Sequence, residues 1–324
     1  MRLLLGFLSV LPLAPMHAGS GDAVQPRDTE SVITGIAPAL PAGVQIDIVG
    51  SDTFVRVRSQ GHDVQIPGYQ DEPYLHIRTT GEVLINDASP TSLLNSDRYG
   101  NVDMSNYVES KTPQWRTLAT DGMVLWHDHR VHWMSPKPPA VIDAKGTVLD
   151  WQVPLVVDNT KTLVSGTLFL RSQATVLWWL VGLLVVLLGV FLSLAKRQLF
   201  VFATAAIAFI ATVIGVVQWM GLPTGARITP LLLMFSAGAF VIAVIAALLS
   251  RNVSRPQHIA VSLHAGAGAT MAVCAWLLAS VVRAAYVPGV EPAWLVRAII
   301  PAMMGMGCVA MVDGVTRIVR NTTD

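Results

Sequence analysis

The chain has 324 residues, of which 52% are hydrophobic and 13% charged, with a formal net charge of +1. Its mean hydropathy is +0.53, a balance typical of membrane proteins rather than soluble domains. Residues 19–173 hold 18 acidic and 12 basic side chains, whereas residues 174–324 hold 3 and 9, and the acidic first half excludes a nucleic-acid binder. Both cysteines, Cys274 and Cys308, fall in the second half. The first half therefore has no disulfide, no cysteine-ligated zinc site and no cysteine-ligated cupredoxin copper site.

Residues 1–18 read as a signal peptide. Arg2 gives the positive start, Leu3 to Leu13 a short apolar run, and Ala18 a cleavage position. The run is shorter than the roughly 20 residues a spanning helix needs. Residues 19–40 are polar and proline-bearing and read as an extended lead-in. From Val44 the period becomes two: Val44 to Val49 and Thr53 to Arg58 alternate apolar and polar residues around the turn Gly50-Ser51-Asp52. Further strands are expected over Tyr74 to Arg78, Glu82 to Ile85, Trp115 to Leu118, Met123 to His127, Leu149 to Val157 and Leu163 to Leu170. Short strands without helical periodicity predict an all-β antiparallel sandwich of the Ig/cupredoxin-like kind over residues 19–173. Residues 87–113 form a long polar insertion, a length that marks a functional or mobile loop.

The composition changes at Ala174. Five spans of about 20 residues are expected, over 174–195, 199–219, 229–249, 259–282 and 294–314, making residues 174–324 an all-α transmembrane domain. Trp178, Trp179, Trp219, Trp276 and Trp294 lie in these spans, several near the ends, where indole rings anchor at the bilayer interface. Lys196, Arg197, Arg251, Arg255, Arg317 and Arg320 fall on alternate connections from Arg227 and Arg283. That bias predicts a plasma-membrane protein with an extracytoplasmic β-domain and a cytoplasmic C-terminus. Small residues recur every four positions at Ala239, Ala243 and Ala247, and at Ser262, Gly266, Thr270 and Cys274, which predicts close helix packing. His264, Arg297 and Asp313 are ionisable groups in or near spans. They are too sparse for the dense set of buried charges a transporter uses.

The most concentrated chemistry is Trp126-His127-Asp128-His129-Arg130-Val131-His132-Trp133-Met134. On a strand His127 and His129 would share one face, about 7 Å apart. His132 has the opposite parity and would join them only through a turn or bulge. Imidazole suits Cu(II), and Met134 or Met123 suits Cu(I), with His76 a further ligand and Asp128 a partner that orients a ring. Two readings stand side by side. One is an extracytoplasmic copper-handling or sensing site at His127, His129, His132, His76 and Met134. The other is a polar network that supports the domain or binds another envelope protein, making the chain a non-catalytic accessory. No Gly-X-Ser-X-Gly elbow or other nucleophile motif accompanies the histidines, so an enzyme is not expected.

The segments Gly68 to Arg78 and Asn95 to Asn101, which contain Asp71-Glu72-Pro73-Tyr74-Leu75-His76-Ile77 and Asp97-Arg98-Tyr99-Gly100, are expected on the same surface as the histidines. Together with the Trp126 to Met134 stretch they resemble a family of actinobacterial membrane proteins in which an exported β-domain precedes transmembrane helices. That resemblance implies the two-part architecture and carries no activity with it. A looser similarity is to membrane proteins with a CopC-type copper-handling β-domain. Those use a histidine at the mature N-terminus, and cleavage after Ala18 would remove His17 here.

Overall fold

The structure is a computed structural model and describes residues 24–105, 107, 110, 112–251 and 257–323. The signal peptide expected over residues 1–18 lies outside the described residues, as does Arg255. Two compact units divide the chain, one centred on Thr29–Arg171 and the other on Ser172–Leu222 with Ile228–Asp324.

The first unit is antiparallel β. Its strands are β1 (Thr29–Ala37), β2 (Val44–Val49), β3 (Phe54–Ser59), β4 (Val64–Pro67), β5 (Pro73–Ile77), β6 (Val83–Asn86), β7 (Trp115–Ala119), β8 (Met123–Trp126), β9 (Thr147–Val157) and β10 (Thr160–Leu170). One sheet has seven strands in the order β1-β10-β9-β4-β5-β6-β7, and the other has three in the order β2-β3-β8. The long β9–β10 hairpin turns at Asp158 and Asn159, both at positive φ (47° and 65°). Asx side chains tolerate that region, and its twist matches the flanking strands.

Alternation sets the faces. In β3, Val55 and Val57 point inward while Arg56 pairs across the sheet with Asp47 at 2.8 Å. Val57, Val124 and Trp126 from the small sheet meet Ile66, Leu75, Ile77, Leu155 and Leu168 from the large one in a single apolar core. Side chains that size are worth roughly 1.5–3 kcal/mol each when fully buried. Two strands depart from the expectation. The lead-in forms β1 at the edge of the large sheet, and Val64–Pro67 forms β4, a four-residue strand too short for its alternation to register. Within 87–113, Pro90–Leu94 forms a short helix, α1.

The second unit is helical: α2 (Trp179–Ala195), α3 (Arg197–Met220), α4 (Leu231–Ser250), α5 (Gln257–Leu277) and α6 (Trp294–Thr323). All five are long and apolar enough to cross a bilayer, which makes this a multi-pass membrane protein. Their ends are fixed by cross-contacts. Arg197 bonds Asp313 at 2.8 Å, Cys274 approaches the Leu231 carbonyl at 3.9 Å, and Gln218 donates to the Pro288 carbonyl at 3.1 Å. The helices therefore alternate in direction. That alternation collects Trp178, Trp179, Trp219, Trp276 and Trp294 at one end of the bundle and Lys196, Arg197, Arg251, Arg317 and Arg320 at the other.

Small residues carry the helix contacts. Ala239, Ala243 and Ala247 are buried as expected. On α5 the expected face is corrected: Ser262 and Gly266 are exposed, and His264, Ala267, Gly268, Met271 and Cys274 pack inward. The packing period follows α6, whose backbone comes so near that a Cβ on Gly307 would stand 2.5 Å from the Gly268 carbonyl oxygen. The ionisable groups have local partners. His264 meets the Thr204 hydroxyl at 3.0 Å, and Arg297 donates to the Ala284 and Ala285 carbonyls at 2.8 and 3.0 Å.

Candidate functional site

Strand β8 ends at Trp126, so the parity expected for His127 and His129 does not apply. Asp128 ends the strand. Its carboxylate accepts the Trp126 indole N–H at 2.9 Å, the Arg130 backbone N–H at 3.0 Å, and the Arg130 guanidinium at 2.8 and 2.6 Å. A turn closes when the Val131 N–H reaches the Asp128 carbonyl at 3.0 Å. The reversal brings His132 back between its two neighbours: its ring centroid lies 5.8 Å from His127 and 5.3 Å from His129, edge to face in both cases. His127 packs on Phe54 at 4.4 Å.

The segment Asn95 to Asn101 faces this turn. The Asp97 carboxylate accepts the backbone N–H groups of Tyr99 and Asn101 at 2.9 and 3.0 Å. These bonds, the one from Asn101 foremost, hold its pKa below the usual carboxylate range. The loop so shaped aims two consecutive carbonyls at the histidines. His129 Nε2 donates to the Asp97 carbonyl at 3.0 Å, and His132 Nε2 donates to the Arg98 carbonyl at 2.8 Å. A carbonyl oxygen only accepts, so both Nε2 atoms carry protons. Burial pushes the His132 basicity down to about 3, helped by the nearby Arg98 charge. Burial likewise lowers that of His129. Both rings are therefore neutral near pH 7, with lone pairs on Nδ1, and the His132 Nδ1 is buried without a hydrogen-bond partner.

Three further contacts brace the site. The Arg98 side chain, 2% exposed, bonds the fully buried Asp52 carboxylate at 2.9 and 3.0 Å, and Thr29 donates to the same carboxylate at 2.6 Å. Tyr69 donates to Asn95, accepts the His129 backbone N–H at 2.8 Å and stacks its ring on that of His129 at 5.9 Å. Gly100, at φ +70°, leaves a gap: a Cβ there would lie 3.3 Å from the Met134 methyl and 3.8 Å from His129 Nδ1. Met134 and His129 thus both border Gly100, where a side chain would be strained by the positive φ and tight against the Met134 methyl.

Of the expected site residues, the structure brings together His127, His129, His132 and Met134. His76 stands apart on β5, where its Nε2 bonds Asp63 at 2.6 Å beside a groove of about 690 Å³ that Trp115 and Leu163 also line. The Tyr69 and Asp97 segments join the cluster as expected. The Arg98–Asp52 pair had no sequence signal, because Asp52 looked like one more turn residue. Among the described residues no three His, Cys, Asp or Glu side chains stand together as a metal-holding group. Compared with protein-family models, curated proteins and solved structures, the chain matches none.

Proposed function

We propose that the β-domain is an extracytoplasmic copper-binding module, anchored by its five helices and selective for the monovalent ion. The single observation that carries this reading is the His132 Nδ1: a buried lone pair without a partner, on a ring whose other nitrogen is tied to a backbone carbonyl. A buried acceptor left unmade costs roughly 1–3 kcal/mol, and metal-ligating histidines are oriented by this kind of second hydrogen bond. The donors would be His132 Nδ1, His129 Nδ1 and the Met134 thioether. Two imidazoles and a soft sulfur suit Cu(I), which accepts few ligands, better than zinc or a hard cation. His127 would shield the ion from the core side, and Phe54 and Tyr69 would limit water. His76 takes no part. The excess of basic residues at the bundle end opposite the tryptophans supports the extracytoplasmic side for the β-domain.

The test is anaerobic competition of the detergent-solubilised full chain against a chromophoric Cu(I) chelator. Met134 is half-buried and its replacement by leucine conserves volume, so Met134→Leu should fold normally and bind at least about tenfold more weakly. His132→Asn, which can still donate to the Arg98 carbonyl, should lose more. Equal affinity in all three proteins would overturn the assignment.

A further inference from the structure

The end of the helical unit rich in basic residues carries a pocket of its own. A pocket of about 440 Å³ opens between α2 and α6. Its wall is apolar and faces outward: Val190, Leu194 and Val312 are 43%, 81% and 58% exposed. Its mouth is cationic. Arg317 and Arg320 line it, and Arg197 reaches Asp313 beside them at 2.8 Å. Arg317 also bonds Asp313, at 2.9 Å, and keeps its side chain 37% exposed. Arg197 and Arg317 thus hold Asp313, with Arg320 lining the same pocket, and Asp313 is the one carboxylate among the described residues at this end.

We propose that this pocket binds an anionic phospholipid. The phosphate would sit on Arg317 and Arg320, and an acyl chain would lie along Val190, Leu194 and Val312. Two features select that occupant. The apolar wall runs along helices long enough to span a bilayer, so hydrocarbon is what covers it. The excess of guanidinium charge at the interface end favours a net negative headgroup over a zwitterionic one, and guanidinium meets phosphate through paired hydrogen bonds. Asp313 fixes Arg197 and Arg317 in place and keeps the site from being purely repulsive before the lipid arrives. Arg317 is held further by its contact with the Ser193 carbonyl at 3.3 Å.

Native mass spectrometry of the detergent-solubilised full chain tests this, with dioleoyl phosphatidylglycerol, dioleoyl phosphatidylcholine and glycerol phosphate as probes. Phosphatidylglycerol should bind more tightly than either of the others. Arg320→Gln, on an exposed side chain, should weaken it about fivefold, and Arg317→Gln with Arg320→Gln should remove most of the preference. Should Arg317→Gln unfold the chain, the Arg320→Gln result decides alone. Equal binding of the two lipids, or a preference unchanged in Arg320→Gln, would overturn the proposal. Glycerol phosphate binding as tightly as the lipid would overturn it too, since the apolar wall would then contribute nothing.

Discussion

The two units bury different things. The β-domain fills its interior with large side chains such as Phe54, Tyr74 and Trp126, and its buried charges Asp52, Arg98 and Asp128 are each bonded to an oppositely charged side chain. The helical unit brings glycine and alanine to its contacts and sends its tryptophans to one end. Water explains the contrast. A domain in water gains from each apolar area it hides, so large residues are favoured in its core. Helices in hydrocarbon gain nothing by hiding leucine from lipid and associate through close backbone approach.

That comparison is broken most severely at Arg98. Arg98→Ala would take the guanidinium from the fully buried Asp52 carboxylate, and removal of the charged partner from such a pair costs about 3–5 kcal/mol. Denaturant unfolding should show the loss, together with disorder in the loop that feeds carbonyls to His129 and His132. In the helices the equivalent injury is steric. Gly307→Val would force α5 and α6 apart, an overpacking cost of about 1–3 kcal/mol that thermal unfolding in detergent should register.

Acid gives a smaller effect. Glu72 is partly desolvated, which raises its pKa, but bonds from Ser89 at 2.6 Å, Thr91 at 3.3 Å and the Gln70 N–H at 2.9 Å outweigh that and hold it below the usual range. A depressed carboxylate contributes stability above its unfolded pKa and loses it as pH falls through the folded value. The β-domain should therefore weaken as pH drops below about 4. Glu72→Gln should flatten that slope while costing under about 1 kcal/mol at pH 7, because solvent screens the site. The smallest effect belongs to Gly266, where an added Cβ meets nothing within 4 Å. Gly266→Ala should leave stability within about 0.5 kcal/mol, and a large loss there would restore the small-residue face read from the sequence.

Much of the architecture was legible in the chain. Period-two runs such as Val44 to Val49 placed strands, and continuous apolar runs placed all five spans. The lead-in escaped because β1 is an edge strand whose pattern is blurred by Gly35 and a bulge between Ile33 and Gly35. The α5 face escaped because a four-residue repeat of small residues says that a helix can pack closely, while the partner decides which side does. At the site, the histidine cluster announced itself by density alone, and its geometry did not. Parity assumed a strand through His129, whereas Asp128 takes the Trp126 indole and Arg130 in hand and turns the chain one residue after His127. The carbonyls of Asp97 and Arg98 come from about 30 residues away in sequence. No local pattern could reveal that they fix both ring tautomers.

The central claim is that His129, His132 and Met134 hold one Cu(I) ion. X-ray absorption at the copper edge of the loaded full chain addresses it most directly. Two imidazole nitrogens and one sulfur in the coordination shell, with the sulfur lost in Met134→Leu, are the predicted result. A shell of nitrogen and oxygen without sulfur, or a sulfur that persists in Met134→Leu, would contradict it.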